Sequence, residues 1–370
     1  VVTISNSGYA QSLYFANEDA YGSTATVDQA FGLVQSVNPT ETNNFIKVRT
    51  MGGTRDYSNV VTGKFEVSGS MDFYLQGGNF VRMALGEDTG TTSGTVDGGP
   101  RIHTGASYVH VMGSAASPAA DCFPSFTMEF ADDEDGTCNG ETGLYNLNRT
   151  YVGCRVNNLS ISASVDEPVS VSCDWIAQTL TVSTAGATSV SDATTDPYVF
   201  YQGAVYATSG IIAYNTAIDS TSQIAEVNSF DLSVANNLEP VWYISGTTGS
   251  HQTTRGLKSL LVKGRDYDAN LNLHFADKDM YQKFLGAASA KTPQDTITKF
   301  QVVVDFVRSG TIGSSPKVAT DDYMRVVLEE CAFNDINISG SPEDIIGQTI
   351  SVYPESAKFI FVDTDVTYKS

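Results

Sequence analysis

Basic side chains are scarce in this 370-residue chain. Twenty-one Lys and Arg stand against 42 Asp and Glu, a formal net charge of −21. Such a surface repels phosphate backbones and anionic membranes, which excludes a protein that grips nucleic acid through its phosphates. No apolar run approaches the ~20 residues of a membrane-spanning helix. Long 3.6-residue periodicity is missing, which argues against a helical bundle. The first residues, VVTISNSGYAQS, show neither the basic stretch nor the apolar stretch of a secretion signal. No Cys-x-x-Cys occurs among Cys122, Cys138, Cys154, Cys173 and Cys331, so a zinc site of that spacing is not expected. Cys122 and Cys138 flank an acidic loop; free thiols are the preferred reading there and a disulfide the alternative. The pairing of Cys154 with Cys173 stays open.

The usual signatures of catalysis and metal binding are also missing. The four histidines, His103, His110, His251 and His274, form no His-Glu-x-x-His, and His103 and His110 read as surface-loop residues. Nucleophile-elbow and phosphate-loop motifs are absent. The run DDEDG resembles a calcium loop, but its EF-hand register puts Ala131 and Thr142 at the first and last ligand positions. Nothing singles out a carboxylate pair of the glycosidase kind. The chain is therefore expected to carry no cofactor, no metal and no catalysis. The acidity has two readings: adaptation to high salt, or a surface over which DNA passes without sticking.

What the chain does have is enough apolar material for a core, 41% of residues, and many Gly, Ser, Thr and Val. That mixture favours an all-β architecture with many turns. One stretch organises the rest. Gly63 to Leu75, GKFEVSGSMDFYL, alternates strictly, with Lys64, Glu66, Ser68, Ser70, Asp72 and Tyr74 on one face. Phe65, Val67, Gly69, Met71, Phe73 and Leu75 fall on the other, as in a strand half buried on a core. GNFVRMALG, Gly78 to Gly86, then predicts a short helix closed by glycine. Residues 87–121, rich in Gly, Ser, Thr and Ala, read as a long surface loop or insertion, and 183–197 as a linker. Tyr151–Ser164 and Val169–Ala177 predict two strands around the turn VDEP. Trp175 and Trp242 read as core or interface anchors.

The same order then returns. Gly264 to Phe275, GRDYDANLNLHF, alternates like the first strand, and Lys278 to Gly286 repeats the helix with its Leu-Gly end. Phe300–Val307 corresponds on this reading to Phe123–Phe130. Cys154 to Ser162, CRVNNLSIS, aligns without a gap on Cys331 to Ser339, CAFNDINIS. The order argues for an internal duplication: a first domain, 1–197, with the insertion 87–121, and a second, 198–370.

The polar faces of these strands are the candidate functional surface. The first pair gives Glu66, Ser68, Ser70 and Asp72, matched by Asp266, Asp268, Asn270 and Asn272. The late strands give Asn158, Ser160, Ser162 and Ser164, matched by Asp335, Asn337 and Ser339. Only Lys64 and Arg265, at strand ends, bring positive charge near them. Leu159, Ile161, Leu271, Leu273, Ile336 and Ile338 face the core on this reading.

TGKFEVSGSMDFYL with NFVRMALG, followed by RTYVGCRVNNLSISASVDEPVSVSCDWIA, resembles the tail tube proteins of long-tailed bacterial and archaeal viruses. The resemblance covers most of residues 10–180 and, more weakly, 205–365. It implies an all-β fold with short helices: two tandem β-sandwich or half-barrel domains whose inner strands join those of neighbours into a ring-wide barrel. It implies self-association into stacked rings, usually of six single-fold chains; here the chain departs from the pattern, and two folds per chain point to rings of three chains with pseudo-sixfold symmetry. It also implies contact with tape-measure, terminator and hub proteins, a place in the virion tail after assembly in the host cytoplasm, and passage of genome DNA along the lumen. Glu66, Ser68, Ser70, Asp72, Ser160, Ser162, Ser164, Asp266, Asp268, Asn270, Asn272, Asp335, Asn337 and Ser339 then become the lumen-facing set. The alternatives are a trimeric tail hub or distal tail protein, a secreted carbohydrate-binding β-sandwich and, more remotely, a polysaccharide-acting enzyme.

Overall fold

The computed structural model describes residues 11–51, 55–88, 95–96, 99–100, 108–113, 123–132, 147–184, 188–191, 194–208, 216–224, 227–242, 255–275, 278–287, 289–313, 322–340 and 346–363. In the N-terminal half, β1 (Gln11–Asn17), β2 (Gln29–Ala30) and β3 (Leu33–Asn43) lead to a hairpin, β4 (Ile46–Val48) and β5 (Asn59–Val61). Then come β6 (Phe65–Tyr74), α1 (Val81–Leu85), β7 (Glu87–Asp88), β8 (Thr95–Val96), β9 (Gly99–Pro100), β10 (Tyr108–Gly113), β11 (Phe126–Asp132), β12 (Leu147–Ser164), β13 (Ser170–Ala177) and β14 (Thr179–Ser183). The C-terminal half runs β15 (Gly203–Thr208), β16 (Gln223–Ile224), β17 (Val227–Ala235), β18 (Glu239–Val241), β19 (Ser259–Leu261), β20 (Asp266–His274), α2 (Asp279–Phe284), β21 (Phe300–Ser309), β22 (Asp322–Ser339), β23 (Gly347–Tyr353) and β24 (Ser356–Asp363).

The expected strand at 63–75 is β6, and its alternation gives its packing. Val67, Met71 and Phe73 are buried while Ser68 is exposed. Gly69 stands on the buried face because a side chain there has no room: a Cβ would lie 2.5 Å from Cζ2 of the buried Trp175. The helix α1 is buried at every residue and ends at Gly86, whose φ of 99° a glycine adopts without strain. Phe15, Phe31, Phe73, Phe80 and Phe126 pack in one aromatic cluster, with ring centroids 4.6–6.4 Å apart.

Both long strands change sheets midway. The first part of β12 pairs with β11 and β14; from Arg155 onward its second part pairs with β13, through a bulge at Asn157, and from Asn158 also with β17. β22 does the same, pairing first with β21 and β24 and then, from Ala332 onward and through a bulge at Asn334, with β23. Each strand kinks just before its cysteine through a residue in the left-handed region, Gly153 (φ 68°) and Glu330 (φ 52°). Glu18 seats the first kink, accepting from the Gly153 N–H at 2.7 Å.

The result is two layers. The front layer is one continuous antiparallel sheet in the order β3-β6-β13-β12-β17-β20-β23-β22. Behind it lie β2-β1-β11-β12-β14 in the N-terminal half and β16-β15-β21-β22-β24-β10 in the C-terminal half. The core between the layers runs through both halves, because β12 and β17 join the two front sheets.

Three expectations are corrected. Residues 108–113, inside the expected surface loop, form β10, which pairs with β24 from the far end of the chain. His110 is consequently buried, with Nε2 3.7 Å from Asp363 Oδ1, and is no loop residue. Phe300 corresponds to Phe126 rather than Phe123, since each lies opposite the equivalent cysteine, Cys331 and Cys154. Residues in the expected linker are docked on the fold: Gln76 Nε2 donates to Thr195 O, and the Thr188 N–H donates to Glu129 at 2.7 Å. Of the DDEDG run only Asp132, the end of β11, is described; residues 133–136, Cys122, Cys138, His103 and His251 lie outside the described residues.

Candidate functional site

All fourteen residues singled out from the sequence lie on the front sheet, on the face turned away from the core. The pairing puts them in rows. Asp72 lies opposite Ser172, Ser172 opposite Ser160, Ser160 opposite Ser233 and Ser233 opposite Asp268. A second row runs Tyr74, Ser170, Ser162, Asp231, Asn270, Ser351 and Asp335. A third runs Ser164, Ser229, Asn272, Thr349 and Asn337.

Outward positions on these eight strands hold the carboxylates Glu66, Asp72, Asp174, Asp231, Asp266, Asp268 and Asp335. The basic side chain on that register is Arg155, in the row of Ser68 and Ile176, and it is tied down by donating to Leu260 O at 2.8 Å and Phe123 O at 3.4 Å. Asp174 and Asp231 were missed in the sequence, although the alternation within Val169–Ala177 and Val227–Val234 carries them. Cross-strand hydrogen bonds hold the short side chains in place. Ser36 Oγ donates to Asp72 at 2.6 Å, Ser162 Oγ to Asp231, Asn272 Nδ2 to Ser229 at 2.7 Å and Thr349 Oγ1 to Asn272 at 2.8 Å.

The two basic residues expected near this face differ. Lys64 sits at its margin, 2.6 Å from Glu66, and holds the Glu66 carboxyl below its ordinary range. Arg265 points the other way. Its Nη1 donates to Leu85 O at 3.0 Å and its Nε to Asn236 Oδ1 at 2.7 Å. It caps the end of α1, where carbonyls have no helical partner. Ile338, expected in the core, is 41% exposed, because β22 is the last strand of the sheet.

The seam between the halves is the part of the sheet that sequence reading missed. Asn236 is fully buried there, and its Nδ2 donates to Ala84 O and Val156 O, both at 3.0 Å. From the other strand, Asn157 Oδ1 accepts the Leu238 N–H at 3.0 Å. Leu159, Ile161, Leu232 and Val234 close the seam on the core side, none more than 2% exposed. Cys154, Cys173 and Cys331 are buried free thiols. Burial pushes Cys154 and Cys173 well up, and Cys331 to about 12. Among the described residues no cluster of His, Cys, Asp and Glu is placed to hold a metal ion.

One further surface stands out. The β4–β5 hairpin exposes Phe45, Ile46, Tyr57, Val60 and Val61. It is locally basic, with Arg49 stacked on Tyr57 at 4.5 Å and Lys47 over the same ring at 5.0 Å.

The front sheet is continuous across both halves and acidic on its outward face, and among the described residues no strand pairs with the outer side of β3 or of the second part of β22. Residues 8–353 match the model of the phage tail tube protein family. The chain belongs to that family. No curated protein matches it. Membership makes this tube protein a structural subunit of a virion tail, one that stacks with copies of itself and with other tail proteins. No helix among its described residues is long and apolar enough to cross a membrane.

Proposed function

We propose that the tube protein forms rings of three copies, each copy contributing two versions of one duplicated fold, and that the rings stack into a hollow tube lined by the acidic face of the front sheet. The observation that carries this reading is the continuity of that face: eight strands and seven carboxylates across both halves, with one arginine, Arg155, which is tied to Leu260 O. Genome DNA passing along such a wall meets short hydroxyl and amide side chains and like charge. Free Lys or Arg side chains would hold phosphates at every ring; the one arginine of the face, Arg155, is engaged by backbone carbonyls, which keeps friction low. At ~0.1 M salt the repulsion reaches about 10 Å, enough to keep DNA off the wall. The exposed, locally basic β4–β5 hairpin supplies apolar and positive contacts to the acidic surface of the next ring. The function is conduction by an assembly, with no catalytic step, and the acidic exterior suits a salty medium.

Electron microscopy of the purified protein tests this. Hollow tubes with three copies per ring are expected; a protein that stays monomeric at high concentration and high salt contradicts it. In assembled virions, Glu66, Asp72, Asp268 and Asp335 changed together to Lys should leave folding intact and slow DNA release. Unchanged release would remove the lumen from the account.

A further inference from the structure

The internal seam is a template for the contact between copies. Each half of the front sheet has the same strand order, β3-β6-β13-β12 and β17-β20-β23-β22. The last strand of the first half, β12, pairs with the first strand of the second, β17. That leaves two edges, β22 and β3, which are the counterparts of β12 and β17. Register fixes the equivalences. Ser70 and Asn270 each lie opposite the counterpart positions Asp174 and Ser351, so Asn38 answers to Asp231 and Val37 to Phe230. Even the bulges coincide, at Gln35 and Asn228.

Both parts of the seam's polar lock recur on the open edges. The seam uses Asn236 from one side and Asn157 from the other. The counterpart of Asn236 is Asn43, exposed at the end of β3, and the counterpart of Asn157 is Asn334, exposed at the bulge of β22. The neighbouring residues follow suit. Asn237 Nδ2 donates to Gly264 O and Asp266, and Asn44 Nδ2 donates to Lys64 O and Glu66. Two halves of one lock therefore stand on opposite edges of a single chain, where they cannot meet each other's internal partners.

We propose that β22 of one copy pairs antiparallel with β3 of the next in the register of the internal seam, an inference that rests on the ring reading above. Asp335 then lies opposite Thr42, Asn337 opposite Thr40, Ile338 opposite Pro39 and Gly340 opposite Val37. Asn43 donates to Phe333 O of the neighbouring copy, and Asn334 accepts the Phe45 N–H, which in the single chain donates to Asn43 O at 2.9 Å. The acidic face continues across the contact without a break.

Pro39 makes this contact weaker than its template. Backbone bonds from the Asn236 N–H to Asn157 O and from the Val165 N–H to Asn228 O bracket the seam. The alternation between them points the Leu232 N–H at Ile161. Pro39 stands in the place of Leu232 and has no N–H to give. The free β3 edge is thus a poor template for indiscriminate strand pairing before assembly.

Paired cysteines read the register directly. With Cys122 and Cys138 replaced by Ser, the double variant N337C/T40C should cross-link assembled rings under mild oxidation into closed covalent trimers. The shifted pairs N337C/N38C and N337C/T42C should cross-link at least tenfold less. P39L should lower the protein concentration at which rings form, by restoring the missing donor. Tubes that form normally but cross-link only in a shifted register, or not at all, overturn the proposal while leaving the tube reading in place. Absence of rings in the parent protein is a failure of the tube reading itself.

Discussion

The seam inside the chain and the two edges at its ends are built from corresponding residues, yet their surroundings differ completely. Ile161 is 2% exposed at the seam; its counterpart Ile338 is 41% exposed at the edge. Asn236 is buried and bonded to two carbonyls and Arg265, while Asn43 is exposed and accepts from Arg255 at 2.7 Å. Where the seam has Leu232 and Val234, the edge has Pro39 and Glu41. The seam is core: it is complete before any partner arrives. The edges are kept soluble by a charge and by a proline, and their apolar residues wait for cover.

That contrast makes the same substitution do different things in the two places. The largest difference is expected for isoleucine. Ile161→Ala removes a buried side chain and should cost about 3 kcal/mol of unfolding free energy by denaturant titration. Ile338→Ala should leave the isolated chain within about 0.5 kcal/mol of the parent and weaken ring formation instead. Equal losses in the two variants would break the comparison. The asparagines come next. Asn236→Ala strips Val156 O, Ala84 O and Arg265 of a buried partner and should cost about 2 kcal/mol. Asn43→Ala should be nearly silent in the monomer and visible in assembly. The smallest effect lies at the margin of the acidic face. Glu66 and its counterpart Asp266 each accept from an asparagine amide, Asn44 and Asn237, but Glu66 also has Lys64 beside it. Because Lys64 depresses the Glu66 pKa in the folded chain, the pair's contribution is present above the ordinary carboxylate range of about pH 4 and is lost as pH falls through the depressed value. Lys64→Met should flatten that part of the pH–stability curve by less than about 0.5 kcal/mol, since the pair is exposed.

Much of the front sheet was legible because its physics is local. Strict alternation marked β6 and β20, the matching Cys-x-x-Asn stretches marked β12 and β22, and glycine closed both helices. What escaped depended on distant partners. β3 carries little strand signal, since its proline and polar residues argue against one; it forms because the missing N–H points away from β6, toward an open edge. β10 escaped because YVHVMG is a short apolar run in a glycine-rich setting, and its partner β24 lies some 250 residues away. The kinks at Gly153 and Glu330 leave no periodic signal, though they decide that each long strand serves two sheets. The seam lock was visible only as recurring asparagines until pairing showed which carbonyls they reach.

The account's central claim concerns where the acidic face points and how it continues. A density map of the assembled tube at a resolution that separates strands tests it most directly. The account predicts one closed inner barrel made of three eight-stranded sheets, β22 beside β3 of the next copy, with Asp72, Asp268 and Asp335 facing the lumen. A map with those carboxylates on the outer wall, or with β22 and β3 capped by other elements, would contradict it.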